Sequence, residues 1–231
     1  LMRLTSIAHM EGYYYKPRFS KEILKKHSEG LICFSGCPAA EIPQYLIDNN
    51  YDEAKKLTEW YANCFKDDFY IEIQRHGYEK IIPDIKDTAL HATLVNIANE
   101  CKAVEIGAIK LSRDLGIPLV ATNDAHYIKK VDAEAQDALL CIATGKNVSD
   151  IKRMRYIDNP DFFVKSPDEM VEVFKDLPDA IENTVKIADK CELEIPLGSW
   201  SFPKYNLPDG KTDAGYLEEL AWSALPERVV E

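Results

Sequence analysis

Residues 119–126 of the chain read LVATNDAH, a short apolar strand that leads directly into a carboxylate and an imidazole. If the extended geometry continues, the side chains of Asp124 and His126 point to the same side, because positions i and i+2 of a strand share a face. The pair then offers ligands for one metal ion or for two neighbouring ions. The alternative is a turn in which Asp124 caps the next helix and His126 is polar surface. Both interpretations stay open on these residues alone.

This apolar run is the last of a series of predicted strands that alternate with helices. Strands are predicted over 31–34, 69–73 and 118–122, and helices over 39–49, 51–65 and 93–115. Such alternation predicts parallel strands with right-handed crossovers, in an open sheet or a barrel. Cys37 follows the first strand, His76 the second, and the Asp124 and His126 pair the third. Packing or a turn would explain each residue alone, but three successive strand ends favour a site at the carboxyl-terminal edge.

The composition predicts a cytoplasmic globular protein. The chain has 231 residues, 46% of them hydrophobic, without an apolar run of about 18 residues or a secretory leader. No C-x-x-C pair exists among the scattered cysteines, which predicts reduced thiols. A formal net charge of −11 argues against a surface that itself holds nucleic acid, because such a surface neutralises phosphates with Lys and Arg.

The second half of the chain is predicted to be mainly helical. Ser166 begins a capped helix, as Ser20 does earlier, and Gly145 ends a helix over 133–144. Further elements are a basic cluster over 152–156 in a solvated loop, a helix over 178–191, an irregular connector over 196–210 and a helix over 213–225. The chain also opens within an element, which suggests a piece of a larger protein.

Four segments carry a resemblance to a known family. They are HMEGYYYKPR (9–18), EGLICFSGC (29–37), VATNDAHY (120–127) and LPDAIENT (177–184). Together they resemble the N-terminal PHP domain of the alpha subunits of bacterial DNA polymerase III, the C-family replicative polymerases. The resemblance implies an α/β fold: an incomplete, distorted, TIM-like (β/α)7 PHP barrel followed by a helical and irregular extension. It also implies that residues 1–195 are the C-terminal portion of the PHP domain, and that 196–231 are a connector and the start of the palm domain.

The resemblance also implies a set of metal ligands. His9 matches the family's Ala-His-x-Glu-Gly motif, and Cys37, Asp124 and His126 match further ligand positions. Thiolate and imidazole suit zinc, whereas oxygen donors suit manganese or magnesium. His76 is a candidate phosphate contact. About half of the family's ligands should lie upstream of Leu1, so divalent metal is expected to bind incompletely. Residues 79–104 are interpreted as a surface insertion, with His91 structural or exposed.

Three functions follow as hypotheses. The first is a PHP piece of the replicative DNA-directed DNA polymerase that, once completed, supports phosphodiester hydrolysis in 3′ to 5′ proofreading. The second is a non-catalytic module that braces the polymerase or docks a proofreading subunit, and the third is a stand-alone enzyme like histidinol phosphatase. The expected partners are DNA, through the rest of the polymerase, and other replicase subunits, with no membrane. The chain alone is expected to be inactive and to self-associate.

Overall fold

The computed structural model of the chain describes residues 1–200 and 202–228. These residues group into two compact units, the first over Leu1–Cys191 and the second within Glu192–Glu231. The first unit contains every strand of the described residues, together with most of the helices. It therefore contains every residue that the sequence points to as a site.

The elements are numbered in chain order. The strands are β1 (Tyr13–Tyr14), β2 (Lys16–Pro17), β3 (Cys33–Phe34), β4 (Phe69–Gln74) and β5 (Leu119–Thr122). The helices of the first unit are α1 (Met2–Met10), α2 (Lys21–Lys26), α3 (Glu41–Ile47), α4 (Tyr51–Phe65), α5 (Tyr78–Ile81), α6 (Thr88–Leu115), α7 (Ala133–Thr144), α8 (Pro167–Val173) and α9 (Pro178–Lys190). The second unit contains α10 (Asp213–Arg228).

The central sheet is parallel, with the strand order β3, β4, β5. Cys33 is paired with Phe69, and Ile71 is paired with Leu119 in the next ladder. This confirms the predicted parallel α/β arrangement, although β3 is shorter than the predicted 31–34. The other pairing among named strands of the described residues is the antiparallel hairpin of β1 and β2. The described residues therefore form a mixed α/β structure with a small parallel sheet, and the pairing of their strands does not show a (β/α)7 barrel.

The two faces of the sheet differ in chemistry because side chains alternate along each strand. Ile71 and Ile73 of β4 join Leu119 and Ala121 of β5 in the hydrophobic core, and each is at most 4% exposed. The core also takes residues from α3, α4, α6 and α9. Each buried isoleucine contributes about 2 to 3 kcal/mol of transfer free energy. This core holds the carboxyl-terminal ends of the strands side by side.

The opposite face of the sheet carries polar side chains that bond to one another. Glu72 of β4 accepts hydrogen bonds from the Thr122 hydroxyl and from Gln74 Nε2, while its backbone N–H donates to Ser35 Oγ. These bonds satisfy polar groups that are partly buried, which would otherwise destabilise the sheet. The polar face leads toward the edge where the predicted site residues lie.

Helix α6 covers most of residues 79–104, the segment interpreted as a surface insertion. Asp87 caps its N-terminus by accepting from Leu90 N–H, and Gly116 ends it with a φ of 66°. Residues 88–104 are thus the first part of a 28-residue helix, and Leu94 and Val104 are buried. The helix begins at Thr88, before the predicted start at 93, and its first buried residue is Leu94. His91 is exposed, as expected.

The loop over 152–156 also differs from its prediction as solvated surface. Arg153 forms a bidentate ion pair with Asp137 of α7, at 2.7 and 2.6 Å, and the two side chains are 1% and 4% exposed. Arg155 forms a second bidentate pair with Asp158, at 2.5 and 2.7 Å. Arg153 therefore anchors the loop to α7, and Arg155 holds the loop in its own conformation, because the acidic partners compensate the buried charges.

In the second unit, the described residues between 192 and 212 contain neither helix nor strand, consistent with the predicted irregular connector. Helix α10 extends past the predicted end at 225 and ends at Arg228. Pro226 lies within its last turns. Proline has no backbone N–H to donate, and its ring crowds the carbonyl group four residues earlier, so Pro226 weakens the last turns of α10. No described helix combines the length and the apolar character needed to span a bilayer.

Candidate functional site

The parallel register brings several predicted site residues to one edge of the sheet. Cys37 follows β3, His76 follows β4, and Asp124 and His126 follow β5. The strands are neighbours and run in the same direction, so these residues lie at the carboxyl-terminal edge, as the sequence predicted. A cluster of rings also lies there, and we call it the ring cluster: His76, Tyr78, His126, Tyr156 and Phe162.

The backbone turns sharply at Asp124, which corrects the expectation of a continued strand. Asp124 has a φ of 48°, in the left-handed region that Asp adopts more readily than most residues. The positions of Asp124 and His126 therefore do not follow the i, i+2 rule of an extended strand. Asp124 is not a helix cap either, because Asp132 precedes α7. Neither simple interpretation of the LVATNDAH run describes this turn.

Both ring nitrogens of His126 have hydrogen-bond partners within the chain. Nδ1 lies 2.6 Å from the backbone carbonyl oxygen of Asp124, and Nε2 lies 2.9 Å from the hydroxyl of Tyr156. A carbonyl oxygen only accepts, so Nδ1 carries a proton and donates it. In the neutral ring Nε2 then has the lone pair, and it accepts from the Tyr156 O–H.

Tyr156 contacts the predicted ligand His126. Its ring centroid is 4.4 Å from that of His126 and 4.8 Å from that of Phe162. Burial raises the pKa of the Tyr156 phenol, and electrostatic interaction with the nearby Asp124 raises it further. The phenol therefore keeps its proton at neutral pH and acts as a hydrogen-bond donor to His126.

His76 and Phe162 are the buried members of the ring cluster. The His76 side chain is 6% exposed and stacks on Phe162 at a centroid distance of 4.1 Å. Burial lowers the pKa of His76 to about 4, and the nearby Lys165 charge lowers it further. Among the described residues His76 Nδ1 has no hydrogen-bond partner. A neutral imidazole offers a hydrogen bond but no charge, and a phosphate contact by His76 stays a prediction.

His76 borders two cavities. A cavity of about 20 Å³, with room for one water, lies against Glu72, Gln74 and His76. A wider cleft of about 730 Å³ lies beside it, and its lining includes Arg75, Tyr78, Asn99, Lys102 and Glu105. Arg75 is already paired with Glu105 and Asp176. The wider cleft therefore has mixed charge and no clear preference for one ligand.

Hydrogen bonds from the Asn123 and Lys165 side chains, and one backbone hydrogen bond, hold the ring cluster against β5. Asn123 Nδ2 donates to the carbonyl oxygens of Asp161 and Phe163, at 3.1 and 2.6 Å, and Lys165 Nζ donates to Asn123 Oδ1. The backbone N–H of His126 donates to the Phe162 carbonyl oxygen at 2.7 Å. These bonds fix Phe162 beside both histidines. Sequence reasoning missed Asn123, Tyr156 and Phe162, because a loop that folds back from a distant position leaves no local periodic signal.

His9 lies in the last turn of α1. It is exposed on α1, and its Nδ1 is 2.9 Å from the Thr5 carbonyl oxygen. Helix α1 packs against the hairpin of β1 and β2. No hydrogen bond among the described residues joins His9 to Cys37, Asp124 or His126. The expected convergence of His9 on the edge is thus not seen in these contacts.

The described residues do not yet fit a metal ion. Cys37, Asp124 and His126 have suitable donor types for zinc. Over residues 1–200 and 202–228, however, no three His, Cys, Asp or Glu side chains form a group that could hold an ion. Both ring nitrogens of His126 have hydrogen-bond partners within the chain, which is consistent with this result. The metal ligands therefore stay a prediction.

Comparison with known proteins relates this chain to one group. Residues 1–76 match the PHP domain. The chain is 43% identical over 230 residues to the DNA polymerase III subunit alpha of Borreliella burgdorferi, and 39% over 254 aligned positions to that of Helicobacter pylori strain 26695. Identity to the Thermus aquaticus subunit is 37%. These alignments take in 99 to 100% of the chain but only 18 to 19% of each relative. The chain is thus similar to less than a fifth of those subunits.

Proposed function

We propose that this chain is the PHP portion of a bacterial DNA polymerase III alpha subunit, and that its sheet edge belongs to a divalent-metal site for phosphodiester hydrolysis. The observation that carries the proposal is that Cys37, Asp124 and His126 follow the ends of parallel strands in one sheet. Identity of 43% to one alpha subunit over 99% of the chain supports it. The closed PHP barrel is part of the proposal, with the remaining strands supplied by the longer protein.

The donor types define the proposed cofactor. Thiolate and imidazole favour zinc, while carboxylate also suits manganese or magnesium. A bound divalent ion would neutralise phosphate charge and lower the pKa of a coordinated water. Cys37, Asp124 and His126 are the proposed ligands from this edge, and His9 joins the set through its motif. Since these donors do not form a complete group here, no catalytic step is assigned to them.

The longer protein is proposed to be the replicative DNA-directed DNA polymerase. Its partners would be DNA and other replicase subunits, and its location the cytoplasm. Residues 196–231 would then form the connector and the start of the palm domain. The net charge of −11 supports a portion that does not itself hold the DNA backbone.

A second candidate function is a non-catalytic brace, or a docking module for a proofreading subunit. A specific observation favours it: both nitrogens of His126 are already engaged inside the chain. A metal site that has lost its function would show such internal satisfaction of its former ligands. The named relatives are all polymerase subunits, which supports either of these candidates over a stand-alone phosphatase.

The test uses the full-length protein that contains this chain, with Asp124→Asn as the variant. Bound zinc and manganese are counted by inductively coupled plasma mass spectrometry, and hydrolysis of a single-stranded 3′ end is measured beside primer extension. We expect the variant to lose bound metal and at least about tenfold of the hydrolysis, while extension is unchanged. Asp84→Asn, an exposed carboxylate in a separate turn, is the matched control.

The same measurements distinguish the non-catalytic brace from the hydrolytic metal site as the function of this chain. Wild-type protein that holds metal and hydrolyses the 3′ end only when Asp124 is intact supports the metal site. Wild-type protein without metal, and with hydrolysis no higher than in the variant, contradicts it and supports the brace.

A further inference from the structure

The first 26 residues of the chain are basic, unlike the chain as a whole. They contain six of the 28 Lys and Arg residues but only two of the 39 Asp and Glu residues. The net charge of −11 argues against a long surface that follows a nucleic-acid backbone, but it is an average over the chain. A short contact with phosphates is therefore compatible with the charge of this first segment.

The hairpin of β1 and β2 brings aromatic and basic residues of this segment together. Tyr13, Tyr14 and Tyr15 are 63%, 67% and 80% exposed, and Lys16 and Arg18 are also exposed. We call these five residues the hairpin surface. Tyr14 and Lys16 are directly opposite each other in the register of the hairpin. Because opposite residues of an antiparallel pair share a face, a ring and a cation lie side by side there.

The side chains of the hairpin surface have no polar partners in the described part of the chain. Neither Lys16 nor Arg18 forms an ion pair or a side-chain hydrogen bond there, and the three tyrosine hydroxyls form no hydrogen bond. The rings of Tyr14 and Tyr15 meet edge to face, with centroids 4.6 Å apart and planes at 76°, so they do not stack on each other. Ring faces and cations are thus both open to a ligand.

The backbone of the hairpin is held at its base. The Arg18 N–H donates to the Gly12 carbonyl oxygen at 3.2 Å, and a Cβ on residue 12 would collide with the Arg18 carbonyl oxygen. Helix α1 packs against both strands. The hairpin surface is therefore displayed on a backbone that the rest of the segment fixes.

We infer that the hairpin surface binds single-stranded nucleic acid, with bases stacked on its tyrosine rings and phosphates beside Lys16 and Arg18. Such a strand repeats a flat base and a negative charge, which are the two groups that exposed rings and unpaired cations attract. A duplex hides the faces of its bases in its own stack, so the surface favours single strands. The inference goes beyond the proposed function, since this contact needs neither a metal ion nor hydrolysis.

The two kinds of contact predict different effects of substitution. Removal of one stacking ring in Tyr14→Ala should weaken binding at the hairpin by about five- to a hundredfold, whereas Tyr14→Phe keeps the ring and most of the affinity. Removal of one cation in Lys16→Gln should reduce the slope of log affinity against log salt concentration by about 0.7.

The experiment is photo-cross-linking of the full-length protein that contains this chain to an oligodeoxythymidine with one 5-iodouracil. Chelator is present throughout, so that metal and hydrolysis play no part. On irradiation, iodouracil forms a covalent bond with an aromatic side chain that it contacts. Trypsin does not cut before Pro17, so one peptide over 4–18 carries the hairpin surface, and mass spectrometry locates the cross-linked residue in it. The oligonucleotide concentration that half-saturates this cross-link measures the affinity.

Two matched controls remove a ring or a cation elsewhere. Tyr205→Ala removes a tyrosine that is 66% exposed in the second unit. Lys86→Gln removes an exposed lysine that forms no ion pair among the described residues. Both controls should cross-link at the hairpin as wild type does.

We expect a cross-link at Tyr13, Tyr14 or Tyr15 that Tyr14→Ala weakens and Tyr14→Phe retains. Absence of a cross-link within 4–18 would overturn the inference, as it would be absent if a second copy of the chain covered the hairpin. A hairpin cross-link that Tyr14→Ala and Lys16→Gln leave unchanged, or that a duplex competes for as well as a single strand does, would also overturn it. Because chelator is present, none of these results depends on the proposed metal site.

Discussion

At the scale of single residues, the burial of His76 makes the free energy of unfolding depend on pH. Burial lowers the pKa of His76 to about 4, from an ordinary value of 6.5. Between these two values the unfolded chain binds a proton that the folded chain does not, so stability falls as pH falls. We expect wild type to lose about 2 kcal/mol from this histidine between pH 7 and pH 5.

His76→Gln should remove that part of the pH dependence. The measurement is urea unfolding of the purified chain at pH 7 and at pH 5, for wild type and the variant. His91→Gln is the control, because His91 is exposed. Equal losses in wild type and His76→Gln would show that His76 is not held neutral by the fold.

The buried ion pair of Arg153 and Asp137 gives a second prediction at this scale. Asp137→Ala leaves a guanidinium that is 1% exposed without its partner, and we expect a loss of about 3 to 5 kcal/mol of unfolding free energy. Glu172→Ala is the control, since both members of its pair with Lys175 are more than 70% exposed and solvent screens the attraction between such charges. Similar losses in urea unfolding for both variants would contradict the anchoring role.

The residue scale also shows what the sequence could predict. Cys37, His76, Asp124 and His126 could be placed at the edge, because each follows an apolar run that reads as a strand. Tyr156 could not be linked to His126, since the contact depends on how a loop from position 156 folds back. The positive φ of Asp124 also has no signal in the pattern.

At the scale of elements, helix α6 crosses α3 at a glycine. An added Cβ at Gly107 would lie 2.6 Å from Leu46 Cδ2, and Leu46 is itself buried. Gly107→Val should therefore force the helices apart and cost about 2 kcal/mol, despite the better helix propensity of valine. Ala92→Val at an exposed position of α6 should cost only about 0.5 kcal/mol.

The readout for both α6 variants is the midpoint of thermal unfolding. A Gly107→Val protein as stable as Ala92→Val would mean that α3 and α6 are not closely packed at this crossing.

Helix ends were predicted well where a local cap fixes them. Ser166 and Glu169 form a capping box at α8, and Gly145 ends α7 in the left-handed conformation. These signals depend on neighbouring residues only. The start of α6 was misjudged because its first turns follow a weakly patterned segment. The closed barrel could be expected only from the family resemblance. Local sequence patterns predict individual strands of this chain, but they do not predict how many strands close into one sheet.

At the scale of the whole molecule, the edges of the sheet predict association. Among the described strands, β3 and β5 each pair with β4 on one side only. The hairpin of β1 and β2 also presents exposed aromatic rings, Tyr13 and Tyr14. Unpaired edges and apolar surface tend to be covered by another copy. We expect the purified chain to self-associate in light scattering, and a strict monomer at high concentration would contradict this.

The central claim is that the carboxyl-terminal edge of the sheet holds a divalent metal in the longer protein. The direct measurement is anomalous diffraction at the zinc and manganese edges from crystals of that full-length protein. The account predicts an anomalous peak within about 2.0 to 2.3 Å of donor atoms of Asp124, His126 and Cys37. An anomalous map without a peak at this edge, or with metal bound only by other residues, would contradict it.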